Sequence, residues 1–436
     1  MVRYWKNEGL FSPNFTRGRG QKMRPETSGA FPNLPPFIFG FLLLFLSSCF
    51  DSGDVQSFTG TRWDSAGVEI VEHPAVGEYG GPVFDVGYLL TVSDTLASGA
   101  GEFGKVADAD LLPDGTLAVL DEFAGEVRVF SAGGDLVRRI GRKGQGPGEL
   151  SGNWTLGILP ISSGRLALPD VVNQTIVVFD AEGSHLTNIH WDVMEETIPQ
   201  WRAVSGDTVL VLVTTEETNS FVRRTLDGGW RDTVTVVGIP DQLPPSTDGR
   251  TQVFTNHRLW SGSGHPQLLA VSQMDSPTLS LFEGKTLRRI IRWNSPGQEL
   301  SEGDLDILLP VVSRAVGDPQ GDPEAALQYF TPPKYAPAVA DIEVGPGIVL
   351  VQRLRPFGEM DQRILSTIGA EGYGGPLWDV FTWSGEYLGI LDFGENVEVF
   401  RVRGDTVVGI REDSLAVVHP FLARLPSELT RQTHES

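Results

Sequence analysis

A single cysteine, Cys49, in 436 residues excludes any internal disulfide, so packing and hydrogen bonds must hold the fold. Long apolar stretches are missing too. The run Phe37–Leu46, "FIFGFLLLFL", is ten residues, about half of what a helix needs to span a bilayer. Positive charge is scarce: Lys+Arg 34 stand against Asp+Glu 56, a net charge of −22. So acidic a body repels nucleic acid, and no nucleic-acid partner is expected. No G-x-S-x-G elbow occurs, and no cysteine lies within the folded body, so the signatures of a nucleophilic hydrolase are absent. "SGSGHP" (261–266) reads as a turn. The glycine-rich "IGRKGQGPGEL" (140–150) fails as a phosphate loop. Its glycines, 141, 144, 146 and 148, miss the G-x-G-x-x-G spacing, no helical pattern follows, and Pro147 carries no N–H.

What is present begins at the N-terminus. The ten-residue run fits the apolar core of a secretory signal and ends directly at Ser47-Ser48-Cys49. Leu46-Ser47-Ser48-Cys49 resembles the bacterial lipobox. That resemblance implies a diacylglyceryl group on the Cys49 sulfur and cleavage just before it. Residues 1–48 are then a signal segment, with Met23 a second candidate start, and 49–63 a flexible tether. The expected location is the cell envelope, with the protein exported and lipid-anchored.

The rest of the chain repeats. "VRVFSAGGDLVRRIG" (from Val127), "IVVFDAEGSHLTNIHW" (from Ile176), "LSLFEGKTLRRIIRW" (from Leu279) and "WDVFTWSGEYLGILDF" (from Trp378) share one shape. In each, a β-rich run ends in Phe, a turn with Gly follows, and a second β-rich run closes. A second hairpin precedes most of them: "DADLLPDGTLAVLDEF" (108–123), "LGILPISSGRLALPD" (156–170), "RAVSGDTVLVLVT" (202–214) and "VADIEVGPGIVLVQR" (339–353). Two hairpins in tandem, recurring every forty to fifty residues, predict propeller blades.

Six blades are expected, at about 105–141, 153–192, 200–238, 257–294, 335–393 and from 396 to 425. The fold class is therefore all-β, a six-bladed propeller of four-stranded antiparallel blades over 64–425. The last blade has three strands of its own, so "PVFDVGYLLTV" (82–92) is expected to close the ring as its fourth. Residues 65–75, "SAGVEIVEHPA", are read as an added edge strand or a plug. Residues 296–334 predict a partly helical insertion between blades four and five, with a kink or break at Pro310. Residues 426–436 are read as a tail.

The stretch from Asp108 to Leu150 resembles an NHL-type repeat, with Leu150 standing where that family usually has Phe. Together with "WDSAGVEIVE" near the start and the Trp378–Phe421 pattern near the end, the chain is similar to lipid-anchored bacterial six-bladed β-propellers. The resemblance implies a fold and an exported location, and no established activity.

Propellers usually act where their innermost strands converge. Candidates at those strand starts are Asp108, Asp110, Asn153, Trp154, Trp201, Arg202, His257, Arg258 and Tyr335, a mix suited to a protein or a small polar ligand. Asp121 and Asp170 occupy matching strand ends and read as turn residues. The competing class is a lyase or lactonase with an axial Ca or Zn, which needs three or more His, Asp, Glu or Asn side chains aimed at one point. His73, His185, His190, His257, His265 and His419 lie on different elements and His434 lies in the tail, so no metal site is assigned. The expectation is a monomeric binding or scaffold module without a cofactor.

Overall fold

The computed structural model describes residues 57–431, apart from 77–80, 93–101, 191–199, 215–217, 228, 230, 239–250, 253–257, 264–267, 274–275, 295–298, 316–319, 329, 333 and 357–373. The expected signal segment 1–48, Cys49 and residues 432–436 lie outside the described residues.

Four short strands come first: β1 (Thr61–Ser65), β2 (Val68–His73), β3 (Val83–Asp85) and β4 (Gly87–Thr91). Blade one is β5 (Val106–Leu111), β6 (Leu117–Asp121), β7 (Glu126–Phe130) and β8 (Leu136–Ile140). Blade two is β9 (Leu159–Pro160), β10 (Leu166–Asp170), β11 (Thr175–Phe179) and β12 (His185–His190). Blade three is β13 (Gln200–Ser205), β14 (Thr208–Thr214), β15 (Thr218–Thr225) and β16 (Arg231–Gly238). After the two-residue β17 (Thr251–Gln252), blade four holds β18 (Arg258–Ser263), β19 (Leu268–Gln273), β20 (Ser276–Glu283) and β21 (Thr286–Trp293). The insertion follows, with α1 (Glu302–Ala315), α2 (Pro323–Leu327) and β22 (Phe330–Thr331), which pairs with β17. Blade five is β23 (Asp341–Gly345), β24 (Ile348–Leu354), β25 (Gly374–Thr382) and β26 (Tyr387–Asp392). Blade six is β27 (Val397–Arg403), β28 (Thr406–Glu412) and β29 (Val418–Arg424), and α3 (Ser427–Arg431) ends the described chain.

Strand periodicity explains why blades stack into a ring. Alternate side chains point to opposite faces of a sheet. On β6, Leu117 and Val119 join Phe400, Val408 and Leu422 of blade six, while Ala118 and Leu120 join Leu166, Leu168 and Phe179 of blade two. Every residue of β6 is buried, which is why the strand reads as an unbroken apolar run. The same division recurs around the molecule. Separate clusters join blades two and three, three and four, four and five, and five and six. The cluster between six and one closes the circle. Each fully buried Leu, Val or Phe contributes roughly 1.5–3 kcal/mol. The fold is thus an all-β six-bladed propeller, mostly of four-stranded antiparallel blades.

The N-terminal segment departs from the expected plan. Residues 82–92 do not form one strand. Val83–Asp85 adds in parallel to β26 of blade five, and Gly87–Thr91 pairs antiparallel with β29 as the fourth strand of blade six. The split follows from a close approach: a Cβ on Gly389 would lie 2.4 Å from the Pro82 carbonyl oxygen, and Gly389 takes φ 138°. Residues 68–73, inside the stretch read as an edge strand or a plug, add as a strand in parallel to β21, and β1 pairs outside β2. Blade four is consequently six-stranded and blade five five-stranded, rather than four. The tether expected over 49–63 is also shorter, because Phe58 already exchanges two backbone hydrogen bonds with Tyr387, at 2.8 and 3.1 Å. The described residues of 58–76 and 81–92 therefore form a belt across the outer edges of blades four, five and six.

Two further corrections concern helices. α1 continues through Pro310 without a break, carried by the burial of Leu308, Leu309, Val311 and Val312 against Ala326 and Ala336. Its start is capped by Ser301, whose hydroxyl accepts from the Asp304 N–H while the Asp304 carboxylate accepts from the Ser301 N–H. The expected tail opens with α3, whose Leu429 is buried beside Leu425 in the cluster of blades five and six.

Candidate functional site

Strand one of each blade starts where strand two ends, so crossovers between blades and the turns after second strands share one face. Asp121, at the end of β6, shows how that face is built. Its carboxylate accepts from the N–H groups of Gly104, Lys105 and Ala124 and from the Arg128 guanidinium. Asp170 does the same for blade two, accepting from the N–H groups of Ser151 and Asn173. Both are fully buried and act as turn-builders. The glycine-rich loop is likewise filled by its own chain. The Glu149 carboxylate accepts from the Gly146 N–H at 2.8 Å and from Arg142, so the loop carries its own anion, and Leu150 is buried between blades one and two.

The innermost strands carry a matched set of charges. Asp108 and Asp110 on β5 face Arg401 and Arg403 on β27. Arg401 donates to Asp108 at 2.8 Å, and Arg403 donates twice to Asp110, at 2.9 and 2.7 Å. Asp108 also accepts from the Ile158 N–H at 2.8 Å, which ties blade two to the same carboxylate. Gly157 makes this possible, because a Cβ there would lie 2.6 Å from Asp108 Oδ2. On the other side of blade six, Asp341 and Glu343 of β23 repeat the spacing. Asp341 accepts from the next N–H at 2.7 Å, as Asp108 does at 2.9 Å, and Glu343 accepts from the Ser261 hydroxyl of β18 at 2.9 Å. An Arg-x-Arg strand thus sits between an Asp-x-Asp strand and an Asp-x-Glu strand. Burial opposes the charge on Arg403, but Asp110, with Glu343 and Asp108 nearby, outweighs it and raises the guanidinium's pKa above its ordinary value.

Outside this wall, the crossover face between blades one and two presents aromatic surface. Trp154 has φ 58°, a left-handed conformation that costs a non-glycine residue about 1–2 kcal/mol. It is held there from both sides. Its backbone N–H donates to the Glu122 carboxylate, and its backbone carbonyl accepts from the Val171 N–H at 3.1 Å. Glu122 in turn meets Lys105. Trp154 is 41% exposed, on the same face as Phe123, which is 55% exposed. The Phe123 carbonyl accepts from the Lys143 ammonium, and the Lys105 ammonium lies 6.0 Å from the Phe123 ring centre. Val172, 49% exposed, occupies in the blade-two turn the position Phe123 has in blade one.

The sequence candidates therefore divide. Asp108 and Asp110 are buried in ion pairs across the ring closure. Asn153 and Trp154 are exposed together on the crossover face. Tyr335, 40% exposed, lies beside the insertion with the Lys334 ammonium 4.8 Å from its ring centre, so it belongs to a different part of the ring. Trp201, Arg202 and Arg258 lie on first strands β13 and β18, but their side chains, and all of His257, are outside the described residues. Arg401, Arg403, Glu343 and Phe123 were missed. The repeat of Asp-x-Asp as Asp-x-Glu, with Arg-x-Arg on the strand between, was a signal available in the sequence. Among the described residues, no three His, Cys, Asp or Glu side chains gather as a metal site. No described helix is long and apolar enough to cross a membrane.

Comparison with known proteins finds matches at the level of the fold. No curated protein matches the sequence. A protein of Bacteroides fragilis described as exported aligns with 12% identity and a TM-score of 0.44, over 82% of this chain and 99% of that one. A member of the DUF4221 family from Bacteroides vulgatus aligns with 10% identity and a TM-score of 0.47, over 74% and 94%. A catalytically inactive virginiamycin B lyase of Staphylococcus aureus with quinupristin aligns with 9% identity and a TM-score of 0.38, over 74% and 98%. A family model described as "6-bladed beta-propeller" matches residues 102–202, the span of blade one, blade two and the crossover that carries Trp154, and this chain is similar to that family there.

Proposed function

We propose that the protein is an exported, lipid-anchored propeller that serves as a binding or scaffold module for an envelope protein or a small polar ligand. Occupancy of the crossover face between blades one and two is its working event. The observation that carries this reading is Trp154. A large aromatic residue is kept exposed on a strained backbone by two dedicated hydrogen bonds. Strain of this kind collects at ligand-contacting positions. Exposed aromatic rings give contact area at low entropy cost, and an aromatic next to cations suits a partner with carboxylate or amide groups. The lipid anchor rests on the lipobox resemblance at Cys49 and on the apolar run before it.

Two experiments test the two parts. Metabolic labelling with a fatty acid should mark the wild-type chain and not Cys49→Ala, and label retained in the variant refutes the anchor. Trp154→Ala and Phe123→Ala should weaken capture of a partner from envelope extract at least tenfold while the melting temperature stays within about 3 °C. Undiminished capture refutes the site. Turnover of a lactone or cyclic peptide that a chelator abolishes would replace the binding reading with an enzymatic one.

A further inference from the structure

Cys49 and Ser57, the first described residue, are eight residues apart. A chain of that length reaches at most about 28 Å when fully extended. The chain then passes Phe58, fixed to Tyr387 of blade five, and enters β1, the outermost strand of blade four. A lipid on Cys49 therefore holds one particular edge of the propeller near the bilayer, and that edge does not share the acidity of the chain as a whole. β1, β2 and β21 carry Arg62, Arg288, Arg289 and Arg292 against Asp64, Glu69 and Glu72, a slight positive excess on a chain of net charge −22. Arg288 and Arg292 are exposed, and Trp63 on the edge strand is 39% exposed. Tryptophan and arginine are residues that settle at a lipid–water boundary, the ring among headgroups and the guanidinium on phosphate.

We infer that the outer edge of blade four, with Trp63 and Arg292 at its centre, lies against the lipid surface when the protein is anchored. This rests on the anchoring reading above and adds a defined orientation to it. The belt gives the contact its rigidity, because β2 is hydrogen-bonded along its length to β21 and Arg289 bridges from β21 to Glu69 of β2 at 2.7 Å. Near-neutral charge at this edge removes the repulsion that the acidic remainder would meet at an anionic membrane.

The test uses the acylated full chain in phosphatidylcholine vesicles with 20–30% phosphatidylglycerol, a composition of roughly physiological surface charge. Acylation consumes the Cys49 sulfur, so a cysteine introduced by Ser65→Cys, exposed two residues along β1 from Trp63, is the one free thiol and takes an environment-sensitive fluorophore. Leu186→Cys, on the outer strand of blade two, is the reference, since Leu186 is 49% exposed. Brominated lipid should quench the label at position 65 at least threefold more than at 186, and Arg288→Glu with Arg292→Glu should remove most of the difference. Equal quenching at both positions, with the protein still floating with the vesicles, overturns the orientation and leaves the anchor intact. Failure to float overturns both.

Discussion

Arg403 on β27 donates two hydrogen bonds to Asp110 on β5, at 2.9 and 2.7 Å, from 293 residues farther along the chain. Arg401 and Asp108 repeat the relationship one step along the same two strands. The last blade and the first are thus fastened at the ring's inner edge by paired charges, and at the outer edge by β4.

Asp110 is fully buried, and removing it strands the Arg403 guanidinium. Asp110→Ala should destabilise the protein by about 3 kcal/mol, the lower part of the range for a broken buried pair, because Arg403 keeps some solvent contact. Asp110→Leu combined with Arg403→Met should recover most of that loss. Urea unfolding of the single and double variants checks it, and additive losses would show that the pair is not coupled.

The belt depends on one glycine. Gly389→Ala would bring a Cβ to 2.4 Å from the Pro82 carbonyl oxygen at φ 138°. A loss of about 1–3 kcal/mol is expected, with β3 released from blade five. Hydrogen exchange should show faster exchange at Val83–Asp85 and unchanged protection in blade one.

His73 links stability to pH. It is 2% exposed on β2, its Nε2 lies 2.8 Å from the Gly385 carbonyl oxygen, and its ring packs on Phe381. Burial lowers its pKa below the ordinary 6.5, against the opposing pull of the Gly385 carbonyl. Between the lowered value and 6.5 the unfolded chain binds the proton and the folded chain does not. Stability from this group is therefore full above pH 6.5 and falls as pH drops below it, with a slope of at most about 1.4 kcal/mol per pH unit. His73→Gln should flatten that part of a denaturation profile taken from pH 7 to 5. An unchanged slope would mean that another group titrates there.

The blades were legible because each is a local object. Two tandem hairpins with Gly or Asp turns write their own pairing into contiguous sequence, and Leu117–Asp121 reads as a strand from any direction. The belt was not legible for the opposite reason. β2 and β3 pair in parallel with strands more than 200 residues away, and no turn residue records that choice. Of the candidate site, Trp154 was expected at the start of blade two's innermost strand, but β9 begins only at Leu159 and Trp154 lies on the crossover before it, in a left-handed backbone that has no sequence mark. Phe123 closes a hairpin in the sequence reading and was not among the candidates. Arg401 and Arg403 were not among the candidates, because nothing in β27 itself records that the carboxylates of β5, 293 residues away, are placed beside it.

The central claim is that the crossover face of blades one and two is the working surface. The most direct measurement is photo-crosslinking in intact cells, with a benzophenone amino acid placed at Phe123 and, as reference, at Val236 on the outer strand of blade three, which is equally exposed at 55%. A discrete adduct at 123 that Trp154→Ala abolishes, and none at 236, is the predicted result. The same pattern of adducts at both positions, or an adduct at 236 alone, would contradict the account.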